Sequence, residues 1–367
     1  MKKFVSLLLV LVLCAVLVAG CNGNKNSDNT DNGNNNNANS GNDTPPAAEE
    51  TGAVKLGLGI VNSIAKSKDY APAEGDNAEV LPVGQVDTVI AAVTFDKDGK
   101  IVAVTIDTAQ TAVKFDAGLK VTNRDDVLKT KVEKGEEYGM KRVSSIGKEW
   151  DEQIAELEQW MVGKTVAEVK AMELNEGKVA VADLTSKVTI TVTDYLAAVE
   201  KAWNNAVDIE PADKLGLGHT ISIAKSKDYA PAEGDKSEVL PTAQVDTVVA
   251  ATAFTADGKV AGVIIDTAQI VVNFDKDGKV TSDKTAVLKT KVEKGDEYGM
   301  KRVSTIEKEW FEQIAELEKW MTGKTVNEIT AMALDGGKPA DADLTAKVTV
   351  TVTDYLAAVE EAAANAK

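Results

Sequence analysis

The chain carries nearly the same sequence twice, at a period of about 160 residues. Leu56-Gly57-Leu58-Gly59 returns as Leu215-Gly216-Leu217-Gly218. Ser63 to Tyr70 returns unchanged as Ser222 to Tyr229, and Lys129 to Gly135 as Lys289 to Gly295. A period of that size is the length of a domain, far longer than a solenoid repeat. The repetition therefore predicts two tandem homologous domains, 53–208 and 209–367. Glu210-Pro211-Ala212-Asp213 punctuates the junction, and so short a connection is expected to place the two side by side.

Within each repeat the order is strands, then helices, then a strand and a helix. Val86 to Phe95 and Lys100 to Ile106 are β-rich and flank Asp96-Lys97-Asp98-Gly99, which predicts a hairpin. That turn lacks the remaining ligand positions of a calcium loop. A second short pair is expected around Phe115 and Val121. Ile146, Trp150, Ile154, Leu157 and Met161 recur at three- and four-residue steps, predicting a helix over 145–161 that stops at Gly163. Trp150, Trp160, Trp310 and Trp320 on this helix and its counterpart read as core. Thr165-Val166-Ala167-Glu168, repeated as Thr325 to Glu328, is a capping box opening a second helix. The alternation from Lys187 to Asp194 predicts a half-buried strand, with Thr193 or Asp194 capping a last helix through Tyr195 and Trp203. The fold class is α+β: a small antiparallel sheet with helices in each of two homologous domains, after a signal peptide and a disordered tether.

The N-terminus points to export. Lys2 and Lys3 precede an apolar run from Phe4 to Val18, too short to span a bilayer comfortably. Leu17-Val18-Ala19-Gly20-Cys21 resembles a bacterial lipobox. That resemblance implies a signal peptide over 1–20 and a diacylglycerol on the Cys21 sulfur. Residues 21–52 are rich in Asn, Gly and Asp and have little to bury. They read as a flexible tether reaching roughly 30 Å. The expected location is the extracellular face of the cell membrane.

Composition narrows the function. The formal charge is −17, and loss of Lys2 and Lys3 makes the remainder more acidic, so nucleic acid is not an expected partner. Cys14 and Cys21 are the two cysteines and His219 the one histidine; Ile60 stands at the His219 position of the first repeat. A structural disulfide, a c-type haem, a zinc or iron–sulfur cysteine set and a repeated histidine-dependent triad all lack their residues. His219 itself reads as an ordinary surface residue. The acids show no spacing that marks a catalytic carboxylate pair.

The hairpin with Asp98-Gly99-Lys100-Ile101-Val102 and Val104, together with the Thr-rich stretch running into an Ala-Val helix, resembles the FMN-binding domain family. The lipoprotein with two such units is similar to the twin-domain flavolipoproteins of extracellular electron transfer. In that family a flavin transferase esterifies FMN phosphate onto Thr in Asp-x-x-Ser-Gly-Ala-Thr. Here the stretches are Asp183-Leu184-Thr185-Ser186-Lys187-Val188-Thr189 and Asp343-Leu344-Thr345-Ala346-Lys347-Val348-Thr349. Asp and Thr keep the family spacing, while Lys-Val replaces Gly-Ala in both, and Ala346 stands where the first repeat has Ser186. The resemblance implies FMN on Thr189 and Thr349, with Asp183, Asp343 and Ser186 in the motif. Lys187 and Lys347 are expected to offset phosphate charge. Gln110 and Gln269, in Asp107-Thr108-Ala109-Gln110 and Asp266-Thr267-Ala268-Gln269, are candidate flavin contacts ending a strand. The loops Tyr138-Gly139-Met140-Lys141 and Tyr298-Gly299-Met300-Lys301 are candidate covers for the ring.

The expectation that follows is an electron carrier with no catalytic residues of its own. It would take electrons from a membrane donor system after loading by a flavin transferase. Covalent and reversible flavin both stay open, and the alternative is a surface spacer or binding lipoprotein without a cofactor. A solute-binding lipoprotein would have two dissimilar α/β lobes, which this repetition does not resemble.

Overall fold

The computed structural model describes residues 52–367. The signal peptide, Cys21 and all of the tether but Gly52 lie outside the described residues. The first repeat begins with an antiparallel meander: β1 (Ala53–Ser63), β2 (Val83–Phe95) and β3 (Ile101–Lys114). The turn between β2 and β3 is the expected one. Asp96 Oδ1 accepts from the Asp98 and Lys100 amides, and Gly99 adopts φ 76°. Then follow α1 (Lys131–Lys134), α2 (Trp150–Met161), α3 (Val166–Lys170), the two-residue strands β4 (Leu174–Asn175) and β5 (Lys178–Val179), and α4 (Thr193–Asn204). The series recurs as β7 (Lys214–Ser222), β8 (Thr242–Phe254), β9 (Val260–Asn273), α5 (Lys291–Lys294), α6 (Trp310–Met321), α7 (Val326–Thr330), β10 (Leu334–Asp335), β11 (Lys338–Pro339) and α8 (Thr353–Ala364). Between the series, β6 (Val207–Ala212) turns the junction into a strand that extends the first sheet, in the order β3-β2-β1-β6. The second sheet runs β7-β8-β9.

The central strands β2 and β8 are buried along almost all of their second halves, because each sheet is covered on both faces. One face of each packs on its own helices: Val89, Ala91 and Val93 meet Trp150, Ile154 and Leu157, while Val248 and Ala250 meet Trp310 and Ile314. The opposite faces pack on each other through Ile60, Ile90, Val113 and Phe115 from one sheet and Val249, Ala251, Ile270 and Phe274 from the other. The layers are helices, sheet, sheet, helices, with one shared core in the middle. Glu50–Lys367 accordingly form a single compact unit.

The contact between the halves is reciprocal. The Tyr70 amide donates to Gly278 O, and the Tyr229 amide to Leu119 O. Asp228 accepts from the Val121 amide and Asp69 from the Val280 amide, each at 2.9 Å. The Phe115 and Phe274 rings meet at 5.2 Å. Each half uses the same patch against the other, the arrangement of a two-fold dimer joined in one chain.

The repeated Leu-Gly-Leu-Gly has a packing reason. A Cβ on Gly57 or Gly59 would lie 2.0 Å from Ala202 O or 1.8 Å from Ala198 O. Gly216 and Gly218 face Ala362 and Ala358 in the same way. Bare glycine lets α4 rest on β1, and α8 on β7, with backbone against strand.

Helix α2 covers the open edge of β3. Glu158 Oε1 accepts from the Ile106 amide at 2.7 Å, and in the second half Glu318 Oε1 accepts from Ile265 at 2.6 Å. These acids satisfy edge amides that no strand pairs. Burial pushes Glu158 up to about 7 and Glu318 up to about 8.

Several sequence expectations are corrected. Residues 187–194 form no strand: the Lys187 and Val188 amides bond back to Leu184 O, and the Thr189 amide goes to Gln153. Only Thr191 bridges, to Lys178. A helical turn and a side chain take the donors that a strand would need. Thr193 and Asp194 sit inside the first turn of α4 and do not cap it. Asp107 to Gln110 do not end a strand, since β3 stays paired with β2 to Lys114. The helix expected from Ser145 starts at Trp150, where Glu149 and Glu152 form a capping box. Trp150 and Trp310 are core, as expected, whereas Trp160 and Trp320 are only partly buried. The described residues contain no helix long and apolar enough to cross a membrane.

Candidate functional site

The turn before α8 places Thr349 on a cavity of about 360 Å³, within the 300–1,000 Å³ range usual for small-molecule sites. Lysines 225, 291 and 338, the aromatic residues Tyr298, Trp310 and Tyr355, and Met300 also line it. The acids there are Asp246 and Asp354. Asp246 is held by Lys225 at 2.9 Å.

Lys291 is the unusual member. Its Nζ lies 5.2 Å from the Tyr298 ring centre and 5.0 Å from that of Trp310, within cation–π range. Among the described residues no carboxylate comes within salt-bridge distance of it. Burial lowers its pKa to about 8, so at neutral pH an ammonium is held mostly out of water with ring faces as partners. The first half repeats the geometry: Lys131 is buried, 5.0 Å from both the Tyr138 and Trp150 rings, and lowered to about 8 by burial.

Thr349 is half-buried and fixed by Gln313. Its amide and Oγ1 both donate to Gln313 Oε1, at 2.9 and 3.2 Å. Gln313 Nε2 donates to Ser304 Oγ and Lys308 O, which sets the amide orientation. Thr189 and Gln153 make the same pair at the same distances. Trp310 Nε1 donates to Tyr355 Oη at 2.9 Å, as Trp150 does to Tyr195. Burial raises both tyrosines to about 12, so they stay neutral. Thr267 Oγ1 is buried in the cavity wall with no partner in hydrogen-bond geometry. It lies close enough to Tyr355 to hold that hydroxyl's pKa down against burial.

The other motif residues are placed differently. Asp183, Ser186 and Asp343 are exposed on the helical turn before the threonine. Asp343 lines a separate depression of about 480 Å³ with Lys347 and Trp320. Lys187 and Lys347 pair with Glu156 at 2.7 Å and Glu316 at 3.2 Å, so they are engaged away from the threonine cavity. Gln269 touches the cavity through Tyr298, whose hydroxyl donates to Gln269 Oε1 at 3.2 Å. Gln110 holds the equivalent place on β3, opposite Asp87. Met300 and Tyr298, from the Gly-containing loop, form part of the wall.

Lys131, Lys291, Gln153 and Gln313 were not legible as site residues. Lys131 and Lys291 stand beside other lysines in sequence, and the rings beneath them arrive from later in the chain. The repeated Lys-Thr-Lys-Val-Glu-Lys-Gly was the available signal.

The donor set fits a flat anionic aromatic group. It has ring and thioether walls, three lysines against two aspartates, and a threonine hydroxyl held in one orientation by Gln313. Comparison with protein-family models, curated proteins and solved structures finds no match to this chain.

Proposed function

We propose that the protein is a lipid-anchored extracellular flavoprotein that carries FMN and shuttles electrons from a membrane donor system. Its two units are read as homologous domains that arose by duplication, and Cys21 as the anchor. The observation that carries the reading is the Thr349 cavity, where the hydroxyl that the resemblance marks for flavin shares one lining with the Lys291 ammonium and aromatic walls. When bound, the isoalloxazine supplies the redox chemistry. Gln313 and Gln153 hold the threonine hydroxyls in one orientation for a phosphoester set by a flavin transferase. Lys291 and Lys131 offer a positive charge to the anionic group. Tyr298, Met300 and Trp310 exclude water from one side of the cavity. The exposed Asp183 and Asp343 turns are placed where a separate enzyme can reach them.

The test is intact mass of the mature chain after co-production with a flavin transferase, with peptide mapping, followed by titration of the unmodified chain with free FMN. Two added FMN units on peptides containing Thr189 and Thr349 are expected. Absence of both a mass gain and binding of free FMN would sink the proposal and leave the cofactor-free spacer.

A further inference from the structure

A second cavity, of about 570 Å³, lies where α1 of the first half faces β7 and α8 of the second. The sole histidine of the chain sits in it. His219 was expected at the surface, but its side chain is only 7% exposed. Its Nε2 is 3.0 Å from Glu133 Oε2, its Nδ1 is 3.4 Å from Glu361 Oε1, and its amide donates to Glu361 Oε2 at 2.7 Å. One donor atom from each of the three residues lies within 4.8 Å of the other two. Asp107, Asp151 and Glu158 line the same cavity, and Asp151 Oδ1 is buried there without a partner. Lys367 contributes the one lysine of the lining.

The opposite flank of the molecule shows what is missing. There the corresponding residues are Ile60, Lys201 and Glu293. Lys201 Nζ sits among them, donating to Ile60 O at 2.9 Å and to Glu293 at 2.5 Å. On the His219 flank a glutamate replaces that lysine and an imidazole replaces the isoleucine. One flank has an internal cation bridging the halves. The other has a carboxylate at each ring nitrogen of one imidazole, with further acids around them. Burying such a set requires a positive charge, which either a protonated imidazole or a bound cation can supply.

We propose that the His219 flank is a site for a first-row divalent metal ion of the zinc class, ligated by Glu133, His219 and Glu361 and joining the two halves. One imidazole and two carboxylates suit zinc, with manganese or iron next, and leave positions open for water. Asp107, Asp151 and Glu158 then face the ion's water side. The metal does on this flank what the Lys201 ammonium does on the other. This inference is independent of the flavin reading.

The experiment uses the untagged mature chain with Cys21→Ser, so that His219 is its one histidine and no free thiol competes. Zinc is titrated by calorimetry at neutral pH while the imidazole signals are followed by NMR. Manganese and magnesium serve as comparison ions. The key variant is the double substitution His219→Ile with Glu361→Lys, which installs the arrangement already present on the opposite flank. Its unfolding transition without metal reports whether it folds. Wild type is expected to bind one zinc, with movement of the imidazole resonances and a raised unfolding temperature. The double variant is expected to bind at least about 100-fold more weakly, since loss of outer partners alone weakens metal sites 10–100-fold. Three results would overturn the proposal: no zinc binding by wild type at micromolar concentrations, imidazole signals that respond to pH alone, or a folded double variant that binds as well as wild type.

Discussion

The two halves are most alike where each packs on its own helices and differ where one meets the other. The glycine contacts of β1 with α4 and of β7 with α8, the Trp–Tyr pairs and the Gln–Thr clamps coincide almost atom for atom. At one point of the shared core a sequence position meets its own counterpart and identity would not fit. Gly84 faces Ala243, its equivalent, and a Cβ on Gly84 would lie 2.2 Å from the Ala243 Cβ. There is room for one methyl and not two. Arg124 binds Asp228 and the Ser226 carbonyl, and on the other side Lys284, one position along the repeat, reaches Asp69 and the Ser67 carbonyl. The flanks differ most, with Lys201 and Ile60 on one and Glu361 and His219 on the other. Contacts within a half are repeated closely, while contacts across the pseudo-axis include both matched pairs, such as Phe115 with Phe274, and positions where the halves differ.

The most severe test applies to what the halves share. Gly59→Val and Gly218→Val both force side-chain atoms into a helix backbone, at Ala198 and Ala358. Each is expected to cost more than about 3 kcal/mol, beyond ordinary overpacking. Because the halves share one core, either variant should unfold the whole unit in a single transition. Calorimetry that shows one half melting while the other persists would break the shared-core account.

A smaller effect separates the halves. Gly84→Ala is expected to destabilise by about 1–3 kcal/mol through overpacking at the axis. Adding Ala243→Gly returns a single methyl, now from the other side, and should recover most of the loss. Denaturant midpoints of the two singles and the double form a cycle. Additivity in that cycle would mean that the two positions do not meet.

Next in size is Lys291→Met. A linear apolar chain can lie over the same two rings without desolvating a charge, so the cofactor-free protein should gain about 1 kcal/mol. The same change removes the cation offered to flavin phosphate or ring, so FMN affinity at that cavity should drop while the first half keeps its own. A variant with lower stability and undiminished FMN binding would make Lys291 a packing residue only.

Much of this arrangement was legible in advance, for reasons that are local. The Asp-Gly hairpin, the Thr165 and Thr325 capping boxes and the Trp-bearing amphipathic helix rest on neighbouring residues and on period. The stretch 187–194 misled because Val188, Ile190 and Val192 do alternate, yet a strand also needs an unpaired edge beside it, and Gln153 takes the Thr189 amide first. Thr189 and Thr349 were singled out by the spacing of a resemblance, whereas the Lys131 and Lys291 ammonium groups depend on rings brought in by folding. The His219 cluster was the least accessible. Its three residues come from α1, β7 and α8, and Glu133 stands 86 positions from His219. Nothing in a one-dimensional reading marks the side of a repeat that will face its twin.

The gentlest test concerns the edge acids. Burial raises Glu318 to about 8 from the usual carboxylate range, and Asp266 to about 6. Both bind a proton more tightly folded than unfolded, so their stabilisation is complete below pH 4 and is lost as pH rises through 6 and then 8. Lys291, lowered to about 8, acts in the opposite sense: its cost is complete below 8 and relieved as pH rises toward its unfolded value. The contribution of these three groups to the stability of the whole unit should therefore be smallest near pH 8, recovering on either side before global charge effects intervene. Glu318→Gln keeps an acceptor for the Ile265 amide but removes the titration. Its unfolding temperature should match wild type near pH 4 and exceed it by a few degrees at pH 8. Glu158→Gln should do the same through the first half, where burial raises Glu158 to about 7. A Glu158→Gln variant whose unfolding temperature stays with wild type at pH 8 would break the equivalence of the two helix edges.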